Sequence, residues 1–161
     1  MAVETITETG QYLTFKLGEE VFAAEVGQVR EILDMSDITK VPKMPDFMKG
    51  VINMRGNVVP IVDMCMKFGM PVYEKTVNTC IIVIDVTFNG EEAVLGMLAD
   101  AVEEVIDLPP EQIEPAPRIG MHLSMDFIKG IGKHEEHFII ILNIDKVFSS
   151  SELSEVKEAA G

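Results

Sequence analysis

Two histidines, His134 and His137, stand three residues apart with Glu135 and Glu136 between them. Imidazole and carboxylate groups are common zinc ligands, so this segment is a candidate metal site. The helical zinc motif spaces its histidines four residues apart, however, and the sequence around this segment is typical of a hairpin tip. A solvated polar turn is the simpler interpretation, and a small metal-binding protein using His134 and His137 is kept as an alternative.

Catalytic residues have no recognisable pattern in this sequence. No serine occupies a nucleophile elbow, no glycine-rich phosphate loop is present, and neither Cys65 nor Cys80 has a plausible histidine partner. The acidic residues fall mostly in adjacent pairs such as Glu103 and Glu104, which is typical of an exposed surface. We therefore predict a protein that is not an enzyme and that needs no cofactor. Two cysteines do not make a disulfide framework, which favours a reducing cytoplasm.

An arginine interrupts the most strand-like segment of the chain, GVINMRGNVVPIVDM at residues 50–64. Desolvating a guanidinium without a partner is costly, whereas arginine is enriched at protein interfaces. Residues 40–55 hold four basic residues against one acid, a net charge of +3, although the whole chain carries −14. The total charge disfavours nucleic acid and anionic membrane as partners. The basic window predicts either a contact surface for an acidic partner or simply solvated lysines.

Most of the chain has a strand pattern that would carry these residues. Residues 11–18 alternate apolar and polar side chains and continue into a hairpin, and residues 29–33 and 102–106 are short strand candidates. Pro60 lacks a backbone donor, which predicts an edge strand or a barrel rim. Residues 64–69 predict a helical turn closed by Gly69. Residues 149–161 predict a short C-terminal helix capped by serine.

The two halves of the sequence match each other. Residues 47–68 align without gaps on residues 127–148 and share the pattern F-x-K-G, an apolar strand and a final phenylalanine. Residues 18–26 likewise match 90–98. An internal repeat with short strands predicts two small β-barrels within a single domain of residues 1–161. We place the barrels at about 11–75 and 79–148, although the chain can cross between them.

The copies differ where the first has Met54-Arg55-Gly56-Asn57, because the second has His134-Glu135-Glu136-His137. The second copy must close its hairpin without the pair Arg-Gly. We therefore predict that Arg55 serves a partner rather than the fold.

The pattern G-V-x-N-x-R-G-x-x-x-P-I-V-D at residues 50–63 resembles that of the CheW-type chemotaxis coupling proteins. The resemblance extends over residues 10–150 and includes the segments GEEVFAAEVGQVREIL and FIIILNIDKVF. It implies a mostly β fold of two SH3-like five-stranded β-barrels with a hydrophobic groove between them. It also implies a cytoplasmic adaptor, without catalysis, that links methyl-accepting chemoreceptor tips to the histidine kinase CheA in membrane-associated arrays.

The same resemblance implies receptor-binding residues in two segments: Val29, Glu31, Ile32, Asn53, Arg55 and Gly56. Structural roles remain open for most of them. Val29 and Ile32 also fit a strand core, Glu31 could pair with Arg55, and Gly56 could serve only the turn. The kinase-binding residues are unknown. A coupling protein of a related non-flagellar array is the alternative, and we expect a monomer that joins rings only with the kinase.

Overall fold

The computed structural model describes residues 9–35, 37–70, 75–88, 90–114 and 127–147. One short helix, α1, spans Met64–Lys67, and 3₁₀ turns span Val26–Gln28, Pro110–Gln112 and Ile144–Lys146. The strands are β1 (Gly10–Leu17), β2 (Glu20–Glu25), β3 (Val29–Asp34), β4 (Met48–Met54), β5 (Asn57–Asp63), β6 (Cys80–Phe88), β7 (Glu91–Ala99), β8 (Ala101–Leu108), β9 (Ile113–Glu114), β10 (Ile128–His134) and β11 (His137–Leu142). The helix predicted at 149–161 lies outside the described residues.

Each of the two sheets takes strands from both copies of the repeat. One sheet has the order β8-β1-β2-β11-β10-β9, and the other has the order β3-β6-β7-β5-β4. Strands β1 to β5 belong to the first copy, and β6, β7, β8, β10 and β11 belong to the second. The six-stranded sheet combines β1 and β2 of the first copy with β8, β10 and β11 of the second, in addition to the two-residue β9. The five-stranded sheet combines β6 and β7 of the second copy with β3, β4 and β5 of the first. The chain therefore crosses between the sheets, as the sequence interpretation allowed. Neither sheet therefore corresponds to one of the expected segments, 11–75 and 79–148, because each sheet contains the first two strands of the other copy.

The repeat is confirmed by the strand register. In the hairpin β4–β5 the pairing shifts between Met48 and Gly50, and in β10–β11 it shifts between Ile128 and Gly130, 80 residues later. The amide of Asp63 donates to the carbonyl of Phe47. Eighty residues later, the amide of Asn143 donates to the carbonyl of Phe127. The predicted turn at Gly69 is also confirmed, since Gly69 lies two residues after the end of α1 and has φ of +69°.

Three apolar clusters account for the continuous apolar runs of the sequence. One cluster lies within the six-stranded sheet, one lies within the five-stranded sheet, and the largest lies between the two sheets. In β6, Ile81 and Val83 belong to the inner cluster of their own sheet, whereas Ile82 and Ile84 belong to the cluster between sheets. Strands buried on both faces need apolar residues at every position. Each sheet curls around its own cluster and is therefore a small barrel.

The prediction of an edge position for Pro60 is wrong. Its strand, β5, lies between β4 and β7 in the five-stranded sheet. The parallel ladder with β7 begins only at Ile61 and continues to Asp63. Pro60 precedes that ladder, so its missing N–H removes no hydrogen bond to β7. An interior strand can hold a proline at such a position.

Both cysteines lie in the cluster between the sheets, and this placement predicts slow thiol chemistry. Burial, with smaller contributions from Asp100 and Asp63, raises the pKa of Cys65 to about 11, and burial also raises the pKa of Cys80. Thiolate is the reactive form, so at about pH 8 we expect iodoacetamide to label Cys65 about a hundredfold more slowly than in urea-unfolded protein. Rapid labelling of the native protein, followed by mass spectrometry, would contradict this placement.

The raised pKa of Cys65 also makes the free energy of unfolding depend on pH. The folded-state pKa of Cys65 lies above its ordinary value of 9.0, so the folded state holds the thiol proton more tightly. This contribution is fully present below pH 9.0 and is lost as the pH rises towards about 11.

Candidate functional site

Arg55 and Gly56 form the two-residue turn between β4 and β5. Their φ angles are +54° and +85°, so both residues lie in the left-handed region that a type I′ hairpin turn requires. In the equivalent turn of the second copy, Glu135 and Glu136 have φ angles of +48° and +66°. The turn of the second copy is therefore closed without arginine or glycine, as the comparison of the two copies predicted.

The guanidinium of Arg55 contacts a strand at the opposite edge of the sheet. Its Nη2 atom lies 2.7 Å from Oε1 of Glu31, which is on β3, whereas Arg55 follows β4. The two edges of the sheet therefore meet at this ion pair and close the barrel. The side chain of Arg55 is 74% exposed and that of Glu31 is 24% exposed. Such an exposed pair contributes about 0–1 kcal/mol, so it orients the guanidinium more than it stabilises the fold.

A β-bulge in β3 decides which side chains face the solvent. Val29 is opposite Ile84, which belongs to the cluster between the sheets, and the register then shifts before Glu31. Ile32 is opposite Ile82 but remains 45% exposed. The structure thus brings Glu31 to Arg55 and packs Val29 against the core. The core role considered for Ile32 is wrong, because this side chain lies at the open edge of the sheet.

Asn53 and Gly56 meet inside the same turn. The amide of Gly56 donates to Oδ1 of Asn53 at 2.8 Å, which confirms the turn role considered for Asn53. A Cβ atom at Gly56 would meet no heavy atom within 4 Å, so the space beside the turn is open. Asn53 is opposite Val58, which is 47% exposed. Sequence reasoning missed Val58, although an apolar residue at an outward position next to a turn was the available signal.

These contacts involve four of the six predicted site residues; Ile32 follows Glu31 in β3, and Val58 is added to the set. We refer to them as the Arg55 surface: Glu31, Ile32, Asn53, Arg55, Gly56 and Val58. Of the four basic residues in the window 40–55, only Arg55 belongs to this surface. Lys40 and Lys43 are exposed, whereas Lys49 lies 3.9 Å from Asp63. Whether Arg55 and Glu31 also rim a groove between the barrels stays a prediction.

The histidine segment has the predicted hairpin geometry. His134 and His137 are directly opposite each other at the base of the turn, and Nε2 of His134 lies 3.9 Å from Oε1 of Glu135. No group of three histidine, cysteine or carboxylate side chains that could hold a metal occurs among the described residues. The described residues also contain no helix that is long and apolar enough to cross a membrane.

The sequence is similar to those of several chemotaxis proteins. The chain is 35% identical to chemotaxis protein CheW of Klebsiella aerogenes, over 99% of this chain and 93% of that protein. It is 35% identical to CheW of Rhizobium meliloti, over 94% and 96%. Protein PilI of Pseudomonas aeruginosa is 26% identical, over 78% and 68%.

The fold comparison leads to the same group of proteins. The solved structure of the scaffolding protein TtCheW from Thermoanaerobacter tengcongensis is 31% identical with a TM-score of 0.77, and the match covers 89% of this chain and 94% of that one. This likeness confirms the predicted mostly β fold of two SH3-like barrels. The family model described as CheW-like domain matches residues 11–152, so the chain belongs to the CheW-like family of chemotaxis proteins.

Proposed function

We propose that this protein is a scaffold, without catalytic activity or cofactor, that couples methyl-accepting chemoreceptors to the histidine kinase CheA. Its similarity to chemotaxis protein CheW over 99% of its length supports the chemotaxis role. Its similarity to a scaffolding protein supports a binding function rather than a reaction. Such a scaffold works in the cytoplasm and is recruited to membrane-associated receptor arrays.

The Arg55 surface is the receptor contact in this proposal. The carrying observation is that Arg55 is exposed, oriented by Glu31 and placed in a turn that the second copy closes without it. An arginine beside exposed Ile32 and Val58 is the composition of an interface anchor. The tip of a receptor's antiparallel helical hairpin would lay an apolar face against these side chains and place an acidic group on the guanidinium. The open space at Gly56 admits that approach.

The kinase would bind elsewhere, because one rigid body must hold two partners at once. Away from the Arg55 surface, the described sheets leave edges at β8 and β9. Unpaired strand edges are common sites of association with a homologous barrel. Two faces on one body allow receptor occupancy to reach a kinase held at fixed geometry. We expect the isolated chain to be a monomer, since a net charge of −14 opposes self-association.

Co-sedimentation tests this function directly. The full chain is mixed with a receptor cytoplasmic fragment and with the kinase, separately and together, and pelleted assemblies are quantified. We expect the chain to join each partner and to bring kinase into the receptor pellet. If the wild-type chain joins neither partner, the proposed function is wrong.

A related non-flagellar chemosensory array is the alternative system. The observation in its favour is that one relative, at 26% identity, is named PilI rather than CheW. The fold and the Arg55 surface would be the same in both systems. Pull-down from the native organism distinguishes them, because the captured kinase and receptors belong to one array or to the other.

A further inference from the structure

The second barrel has a site equivalent to the Arg55 surface. Strand β8 repeats β3 with an offset of 73 residues, so Glu104 stands where the first copy has Glu31. The strand ladders support this equivalence. Ile32 is opposite Ile82, and Val105 is opposite Leu13. In both β3 and β8, the bulge lies on the N-terminal side of this pair. In the hairpin, with its offset of 80 residues, Glu135 stands where the first copy has Arg55.

The equivalent site is an open cleft instead of an ion pair. A cavity of about 190 Å³ separates β8 from the tip of the hairpin β10–β11. Glu104 and Glu135 both line it, and two carboxylates cannot form the bridge that Glu31 and Arg55 make in the first barrel. Ile106 and Ile139 provide an apolar floor. The edges of this barrel therefore meet around a space with negative walls.

A buried nitrogen atom also lies at this cleft. Nε2 of His134 is inaccessible to solvent and has no hydrogen-bond partner within the described part of the chain. A buried polar atom without a partner is uncommon in folded proteins. In a neutral imidazole whose proton is on Nδ1, this atom is an acceptor, so a residue of the cleft wall keeps an unused hydrogen-bonding capacity.

Two exposed apolar side chains flank the cleft. Val105 is 53% exposed and Phe138 is 64% exposed, and they are the equivalents of Ile32 and Val58. Both barrels thus have two exposed apolar side chains beside the equivalent turn. The turn carries a positive charge in the first barrel, from Arg55, and a negative charge in the second, from Glu135. We refer to Glu104, Val105, Glu135 and Phe138 as the Phe138 surface.

We propose that the Phe138 surface is a second docking site, which accepts a protein segment carrying an arginine flanked by apolar side chains. The guanidinium enters the cleft between Glu104 and Glu135, and its flanking residues cover Val105 and Phe138. Charge complementarity identifies the occupant, because no lysine or arginine of the described residues lines the cavity and Lys16 pairs only with a third wall carboxylate, that of Glu103, at 3.8 Å. The volume corresponds to roughly six waters, which suits one guanidinium and its stem. A planar guanidinium can also donate to two carboxylates at once.

This site is independent of the proposed receptor contact. An acidic group that complements Arg55 would be repelled by Glu104 and Glu135, so the two surfaces select partners of opposite charge. The proposed function can fail while this site stands, and the reverse is also true.

Amide chemical-shift titration of the full, isotope-labelled chain tests the proposal. The probe is the capped peptide Leu-Arg-Leu, and the matched probe replaces arginine by citrulline, a neutral isostere. We expect saturable shifts at Glu104, Glu135 and Phe138 with the arginine peptide, and binding about tenfold weaker with citrulline. Equal affinity for both peptides, or shifts centred on Arg55, would overturn the proposal, and so would the absence of shifts at about 10 mM peptide.

Two variants localise the charge effect. Glu104→Gln should weaken the arginine peptide about fivefold. Glu20→Gln removes the same charge from an exposed position of the same barrel, outside the cleft, and should change the affinity by less than about twofold. Equal weakening by both variants would show general charge attraction and contradict a site. Shifts at Phe138 that depend on protein concentration without peptide would identify a second copy of the chain as the occupant and also contradict it.

Discussion

Replacing Arg55 by alanine is expected to weaken binding of a receptor cytoplasmic fragment by about thirtyfold or more. Truncating a central interface arginine typically costs about 2 kcal/mol of binding free energy. Stability should change by less than about 1 kcal/mol, because the side chain is 74% exposed and its only described ion pair is with Glu31. The measurements are receptor co-sedimentation across a concentration series and thermal unfolding of both proteins.

The internal repeat supplies a matched control for this substitution. Glu135→Ala changes the equivalent turn position, whose φ is +48° against +54° for Arg55, so the backbone cost of alanine should be similar. We expect Glu135→Ala to leave receptor binding unchanged. Two results would make Arg55 structural or the effect unspecific. In the first, the Arg55 variant melts much lower and binding falls in proportion; in the second, Glu135→Ala loses receptor binding equally.

Replacing Gly50 by alanine is expected to lower the free energy of unfolding by about 3 kcal/mol or more. Gly50 has φ of +143°, and an added Cβ atom would lie 2.1 Å from the carbonyl oxygen of Thr39. That oxygen accepts from the amide of Val51 at 2.8 Å, and the amide of Thr39 donates to the carbonyl of Val51 at 2.9 Å. The obstacle is therefore hydrogen-bonded backbone, which cannot rotate aside. Strain and overpacking together give the expected magnitude.

Gly56→Ala is the control for Gly50→Ala. Its φ of +85° also disfavours alanine, but nothing lies within 4 Å of the added atom. We expect a loss of about 1 kcal/mol, from the left-handed backbone alone. Urea unfolding compares the two variants, and the expected difference corresponds to about 4–8 °C in melting temperature for a chain of this length. Equal, small losses would show that Thr39 is not held against Gly50.

Local patterns predicted most of the strands correctly. The alternation over residues 11–18 corresponds to β1, and the short apolar segments at 29–33 and 102–106 lie in β3 and β8. Side-chain alternation is a property of neighbouring residues, so it can be read without knowledge of the partner strand. The continuous apolar run 80–84 lies in β6, and its burial on both faces depends on the second sheet, which no local pattern shows.

The candidate site was predictable in part for the same reason. Asn53, Arg55 and Gly56 lie within four residues, and their turn follows from local geometry. The pair of Glu31 with Arg55 was only one of two alternatives, because it joins opposite edges of a sheet. The position of Val58 next to a turn was visible in the sequence, but its exposure and that of Phe138 depend on which outer faces the other barrel leaves uncovered.

The sequence by itself determined the strands, the repeat and the turn that holds Arg55, since these depend on side-chain periodicity and on residues close in the chain. Only the tertiary structure decided that the first two strands of each copy join the sheet of the other. The physical reason lies in the repeat itself. Because the copies carry nearly the same strand pattern, pairing within a copy and exchange between copies satisfy the same local preferences. Long-range packing, through the cluster between the sheets, selects one of them.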